Sequence, residues 1–231
     1  MKRILIIPVI LLALVSCQKS VEFKVTNLSI KDSINVCKIA YKLPVLTEVS
    51  GQYSELCQKV NDEIGNETVS IVADLKKEAT SFYDEFVKDA ENPSALRYEY
   101  YGDYDQFYAD NKIISFRYIN YFYTGGAHGN TKFDCYNYDV NTGNKLTFSD
   151  VFKTDEESIK QINSLLVKYF KNPDNCFIQN PEIDSKYKLF TIQKDTVIFT
   201  FHQYELGAYA CGAPEIKVPK QDFYNSNVYK H

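Results

Sequence analysis

The stretch IISFRYINYFYTGGAHGN, residues 113–130, decides the fold. From Ile113 to Tyr123 one alternating face carries Ile113, Ile119 and Tyr121, and the other carries Ile114, Phe116 and Phe122. Alternation of this kind reads as a strand, and a strand apolar on both faces is covered on both sides. The glycine-bearing loop Thr124 to Asn130 then ends it. Around this strand, Leu96 to Val140 is rich in tyrosine and other β-favouring residues, with turn signals at Asp110-Asn111 and near Gly125. Three strands are predicted there.

Upstream, Leu56, Val60, Ile64, Val69, Val72, Leu75, Ala79, Phe82 and Phe86 recur at helical spacing over about nine turns. Gly65-Asn66 is the weak point of that run, where a kink or split is expected, and Asn92-Pro93 stops it. Before the helix, Val21 to Ile30 and Ser33 to Leu43 read as strands, the second ended by Pro44. Downstream of the turn Asn141-Thr142-Gly143-Asn144, Thr154 and Glu157 form a capping-box pattern. The helix it opens turns Ile159, Ile162, Leu165, Leu166 and Tyr169 inward, and Lys171-Asn172-Pro173 ends it. Strands follow at Tyr187–Ile192, Val197–Tyr204 and Glu215–Val218. The pattern predicts an α+β fold of two strand-helix-strand units, with antiparallel sheet packed by helices.

The ends carry a different signal. Lys2 and Arg3 precede an unbroken apolar run, Ile4 to Val15, too short for ~30 Å of hydrocarbon but suited to a signal peptide. It closes on Leu14-Val15-Ser16-Cys17, which resembles a bacterial lipobox. The expected organisation is a lipoprotein signal peptide at 1–16, a lipidated tether at 17–22 starting at Cys17, α+β regions at 23–123 and 124–224, and a tail at 225–231. Two or three acyl chains hold a protein at a membrane stably. Gln18-Lys19-Ser20 lacks the aspartate associated with inner-membrane retention, so the outer membrane is the expected destination.

Composition narrows the partners. Without Lys2 and Arg3, 24 basic side chains face 30 acidic ones, a formal charge of −6 that disfavours nucleic acid and anionic headgroups. Of six cysteines, Cys17 is assigned to lipid, leaving an odd five. Export permits disulfides, and Cys176 with Cys211 and Cys37 with Cys57 are the preferred pairs, leaving Cys135 as a buried free thiol. No C-x-x-C spacing occurs, and no metal site or cofactor is assigned.

Two loops stand out chemically. Thr124–Asn130 holds Gly125, Gly126, Gly129 and His128, one of three histidines in the chain. A backbone-lined pocket with a titratable imidazole is weighed there against a tight bend that needs glycine. Tyr204–Gly212 sets Tyr204, Glu205 and Tyr209 beside small residues. Glu205 with His128 could form an acid/base pair, though a structural hydrogen-bond network is preferred. Asp103, Asp105 and Asp110 resemble a calcium-binding run without its glycine and closing glutamate, and solvated hairpin carboxylates are the better reading. Tyrosines between Tyr98 and Tyr123 could stack on sugars, but packing at a sheet margin is preferred.

At these loops the chain resembles a family. YTGGAHGN at 123–130, YNYDVNTGNKLTFSDVF at 136–152, FTFHQYELGAYACG at 199–212 and IKVP at 216–219 look like the DUF3298 (RsiV-like C-terminal) family. The preceding region looks like its DUF4163 partner, and together they cover about residues 23 to 224. The resemblance implies an envelope-facing domain, found in lipoproteins, beside a peptidoglycan deacetylase domain, or as the ectodomain of a lysozyme-sensing anti-sigma factor. Neither a deacetylase module nor a sigma-binding segment is read in this sequence, and no catalytic residue carries over. The expectation is a non-enzymatic cell-envelope lipoprotein that binds a wall-related ligand, either a peptidoglycan fragment or a lysozyme-like protein. Gly125, Gly126, His128, Tyr204, Glu205 and Tyr209 are the candidate ligand residues. The alternatives are an envelope hydrolase using His128 and Glu205, and a purely structural component.

Overall fold

The computed structural model describes residues 22–91 and 97–231. The expected signal peptide at 1–16, Cys17 and the expected helix stop at Asn92-Pro93 lie outside them. Among the described residues eight strands form two sheets with four helices, an α+β architecture.

The first sheet has the order β1 (Phe23–Ile34), β2 (Cys37–Glu48), β3 (Tyr98–Ala109), β4 (Ile113–Tyr123) and β5 (Asn130–Asp139). Its strands are not all antiparallel: β2 and β3 run parallel, as a helical crossover allows. The β1–β2 turn falls at Asn35-Val36 rather than near Lys31, with Asn35 in the left-handed region at φ 52°. Pro44 does not end β2 but pairs with Asn27. It is tolerated because β3 leaves β2 after Tyr41, so at Pro44 the strand has a neighbour on one side only.

The crossover is α1 (Ser54–Phe82), continued by a π-helical turn at Tyr83–Val87. It is unbroken at Gly65, where an added Cβ would meet nothing within 4 Å. Leu56, Val60, Ile64, Thr68, Val72 and Ala79 form its buried stripe, against Ile39, Leu43, Leu46, Phe116, Tyr136 and Tyr138 of the sheet. Val69 and Phe86, expected inward, are 61% and 57% exposed. Thr68 takes the inward position because it, not Val69, lies four residues from both Ile64 and Val72. Asn61 ties the helix to the far end of β2, accepting from the Leu46 N–H at 2.8 Å and donating to the Leu46 carbonyl at 2.9 Å.

This geometry corrects one cysteine pairing. Cys37 opens β2, whereas Cys57 lies in the first turn of α1, one turn before the Asn61 that is bonded to Leu46, and Leu46 is about 30 Å along the extended strand from Cys37. Bridged Cα atoms stand within ~7 Å, and both residues are buried free thiols.

The other face of β4 and β5 meets a second layer: β6 (Phe190–Ile192), β7 (Thr196–Thr200) and β8 (Glu215–Pro219), all antiparallel, with α2 (Phe148–Val151), α3 (Glu156–Tyr169) and α4 (Lys220–Asn225). The cap of α3 is Asp155, whose carboxylate accepts from the Ser158 N–H at 3.0 Å, not Thr154. A capping box does exist at Thr147 and Asp150, and it opens α2. Ile162 and Leu166 are fully buried among Phe152, Phe190, Phe199 and Phe223. The boundary expected between residues 123 and 124 falls inside the first sheet, because β5 completes it. Among the described residues no helix is long and apolar enough to cross a membrane.

The two layers join through polar groups. Arg117, its side chain 6% exposed, makes a two-pronged contact with Asp105 at 2.9 and 2.6 Å and reaches Glu215 at 2.7 Å. It also donates to the Thr200 hydroxyl at 3.0 Å and lies over the Phe133 ring. Beside it, the Ser115 hydroxyl donates to Asn137 and accepts from the Ile192 N–H, and Asn137 donates to the Phe190 carbonyl. A bulge in β3 with Gln106 at φ 53° turns that residue toward Thr191 and Gln193.

Three stability outcomes follow. Gly65→Ala raises stability by about 0.5–1 kcal/mol in chemical denaturation, because only backbone freedom changes at that helical site. Arg117→Leu costs about 3 kcal/mol, since it strands two carboxylates at the junction. Lys42→Ala, which removes an exposed pair with Asp103, costs less than about 1 kcal/mol.

Candidate functional site

The two glycine-bearing loops meet. Gly125 and Gly126, at φ 93° and 92°, let the chain leave β4 by a turn that side chains resist. Gly129 serves a different need: a Cβ there would stand 2.4 Å from the Tyr121 ring. Between them His128 lies flat on Tyr209, ring centroids 3.8 Å apart and planes 14° apart. Its Nδ1 stands 3.0 Å from the Gly129 carbonyl, an acceptor, so in the neutral ring Nδ1 carries the proton. Nε2 is then free to accept from the Tyr204 hydroxyl at 3.2 Å. The Tyr209 hydroxyl donates to the same Gly129 carbonyl at 2.7 Å.

The second loop is clamped from beneath. Cys176 and Cys211 form a disulfide, and the Leu206 carbonyl accepts from the N–H groups of Ile178 and Gln179. Leu206 is buried, and Gly207 lies so close to Cys176 and Phe177 that a Cβ would meet backbone at 3.0 Å. Tyr204 itself is held at φ 70° and is 59% exposed. A bulky residue in the left-handed region is strained, and such strain collects at binding sites.

Glu205 takes another direction. Its carboxylate accepts from the His202 N–H at 2.7 Å, closing its own turn, and no hydrogen bond joins it to His128 among the described residues. The loops thus bring together His128, Tyr204 and Tyr209 as an aromatic cluster with imidazole and hydroxyl edges.

A separate cleft of about 1100 Å³ lies along β5, and none of the three cluster residues lines it. Glu67 and Ile71 of α1 form one wall, Lys132 and Tyr136 of β5 the floor, and Lys186 and Tyr187 the other wall. His202, two residues before Tyr204, stacks on Phe133 at 5.7 Å and lines the cleft. Burial pushes the Tyr136 phenol up, as does the Glu67 carboxylate that accepts its hydrogen bond, and burial raises Tyr187 as well. Cys135, a free and partly buried thiol on the floor, is also pushed up by burial. These groups offer neutral hydrogen bonds rather than anionic nucleophiles.

The acidic run of β3 serves structure. Asp103 pairs with Lys42, Asp105 with Arg117, and Asp110 accepts from the N–H groups of Lys112 and Ile113 and from Tyr108. Burial pushes Asp110 up, but these donors outweigh it and leave the carboxyl below its usual value. Among the described residues no three His, Cys, Asp or Glu side chains converge as a metal site. Sequence reasoning did not find Phe133, His202 or Arg117, since nothing local marks a residue whose partners lie tens of positions away.

Comparison with known proteins follows the two-part pattern. Residues 149–221 match the model described as "Protein of unknown function (DUF3298)", and residues 30–131 match "Deacetylase PdaC". The N-terminal match is therefore to PdaC, not to the DUF4163 region expected above. A curated relative, "Peptidoglycan-N-acetylmuramic acid deacetylase PdaC" of Bacillus subtilis (strain 168), is 24% identical over 152 residues. That match takes in 63% of this chain and 32% of the relative, so the chain spans about a third of the relative's length. A crystal structure of a DUF3298 family member from Bacteroides fragilis NCTC 9343 superposes with a TM-score of 0.64 at 18% identity, covering 91% of this chain and 94% of that one. A DUF3298 family protein from Pseudomonas aeruginosa PAO1 gives 0.55 at 14% identity with the same coverage. Both share the fold.

Reduction of the Cys176–Cys211 bridge tests the clamp. Closing a loop of 35 residues limits the unfolded chain by about 3–4 kcal/mol, so a Cys176→Ser, Cys211→Ser variant unfolds at correspondingly lower denaturant. Amide exchange at Leu206–Gly212 rises more than at β4.

Proposed function

We propose, starting from a chain that carries a DUF3298 domain behind a PdaC-like one, that it is a cell-envelope protein whose aromatic cluster binds a wall glycan fragment. One observation supports this above the others: Tyr204 is exposed, strained at φ 70°, and hydrogen-bonded to His128 from a loop 76 positions away. A flat ring pair, His128 on Tyr209, offers an apolar surface to the C–H face of a sugar, while Tyr204 supplies a hydroxyl at its edge. The relative's name ties that protein to peptidoglycan N-acetylmuramic acid, and the matched region here is the source of the glycan reading.

The role is binding rather than catalysis, because Glu205 is occupied by its own turn and the cleft phenols and thiol are held protonated. In this reading Cys17 bears the lipid, and the outer membrane is the site of attachment. Such an anchor holds the domain close to the bilayer.

The test is sedimentation with purified peptidoglycan sacculi, and with lysozyme immobilised in parallel. The wild-type chain co-sediments with sacculi, and Tyr204→Ala, which removes an exposed side chain, weakens retention at least tenfold, on the scale of ~1.4 kcal/mol or more. Undiminished retention of that variant sinks the aromatic-cluster reading. Capture by lysozyme and not by sacculi replaces the glycan with a protein ligand.

A further inference from the structure

The edge of the first sheet is open where the cleft lies over it. Each strand residue directs its N–H and C=O to the same side, and the side alternates along the chain in an antiparallel pair. The Asn137 carbonyl accepts from the Leu146 N–H at 2.7 Å, and the Asp139 N–H donates to the Asn144 carbonyl at 2.9 Å. Odd-numbered residues of β5 therefore point away from β4. Lys145 and Leu146 cover the end of this edge as a short antiparallel partner, bridged at Tyr138 and Lys145. At Thr147 the chain turns into α2 and leaves the edge.

Beyond that point the outward groups of Phe133 and Cys135 meet no strand. β5 is the last strand of its sheet, and no backbone hydrogen bond reaches them from outside among the described residues. Unpaired main-chain groups are a standing template for another strand. The opposite edge, β1, stands in the open and carries Lys24, Lys31 and Asp32. β5 is instead recessed between α1 and Ser185–Phe190, which excludes a second sheet and admits a single chain. The volume, about 1100 Å³, suits a short extended peptide rather than a small molecule.

Charge selects the peptide. On the cleft wall Lys186 and Lys188 are exposed, and neither forms an ion pair among the described residues. The other charges nearby are engaged: Glu67 by Tyr136, Asp134 by Lys132, and Lys145 by Glu63.

We infer that the β5 edge takes up a short, extended, acidic peptide as an added strand, its backbone paired with Phe133 and Cys135 and its carboxylates facing Lys186 and Lys188. This site is separate from the aromatic cluster and does not rest on the glycan reading. Specificity comes from charge, and affinity from main-chain hydrogen bonds.

The probe is the peptide Glu-Val-Glu-Val-Glu, titrated into the full chain with amide exchange and fluorescence anisotropy as readouts. Binding protects the Phe133 and Cys135 amides, and the Lys-Val-Lys-Val-Lys counterpart binds at least tenfold more weakly. Lys186→Glu with Lys188→Glu, both exposed, reverses that order while circular dichroism stays unchanged. Peptides N-methylated at alternate residues separate the edge from a nonspecific charge effect: one phase abolishes binding and the other retains it. Equal affinity for both charges, equal effects of the two N-methylation phases, or absent protection at Phe133 and Cys135 overturns the inference. So does self-association of the chain that buries the same amides without peptide.

Discussion

Arg117 is the constraint on which the arrangement of the two layers depends. Its guanidinium sits in the interior, where a lone charge is expensive, and it is compensated from four strands: Asp105 on β3, Phe133 on β5, Thr200 on β7 and Glu215 on β8. An apolar junction would tolerate sliding, but a planar fork of donors with acceptors on both sheets tolerates little. Ser115 and Asn137 extend the same logic: bonded to each other across β4 and β5, each also holds a backbone group of β6, Ser115 that of Ile192 and Asn137 that of Phe190. The cleft is tied to this junction through Phe133, which packs against both Arg117 and His202 and lines the cleft.

The tyrosine content of the chain has a related explanation. Tyr136 and Tyr118 are buried in the first core, and each needs a polar terminus for its hydroxyl. Tyr136 donates to Glu67 on α1 and Tyr118 to the Lys42 carbonyl on β2, so the rings fill the core while their tips tie helix and strands together. The core is thereby packed and oriented by the same residues.

Much of this was legible in the sequence. The double-faced apolarity of β4 announced a strand covered on both sides, and it is, by α1 through Ile114 and Phe116 and by the second layer through Ile113. The spacing of Leu56, Val60, Ile64 and Val72 gave the long helix, but Val69 and Phe86 drew hydrophobicity into positions that geometry turns outward. Capping residues one position apart, Thr154 and Asp155, cannot be ranked without the backbone. The Cys37–Cys57 pairing failed because proximity in sequence was read as proximity in space, whereas a full strand separates them. Both candidate loops were recognisable from their glycines and their aromatic residues. That His128 rests on Tyr209, and that Glu205 bends back to His202, depend on contacts between segments about 80 positions apart and on one local turn.

β5 has a consequence for how such chains are assembled and inherited. It belongs to the first sheet by pairing, to the second layer by the contacts of Asn137 with Phe190 and of Phe133 with His202, and to the intervening turn through Tyr138 and Lys145. A gene cut just before this strand would leave β4 paired with β3 alone and Tyr136 and Tyr138 missing from the first core. A cut just after it would leave Phe190 without the amide that holds its carbonyl. The two recognisable segments therefore travel as a pair, with the strand between them as the shared seam, and recombination that separates them yields two incomplete halves.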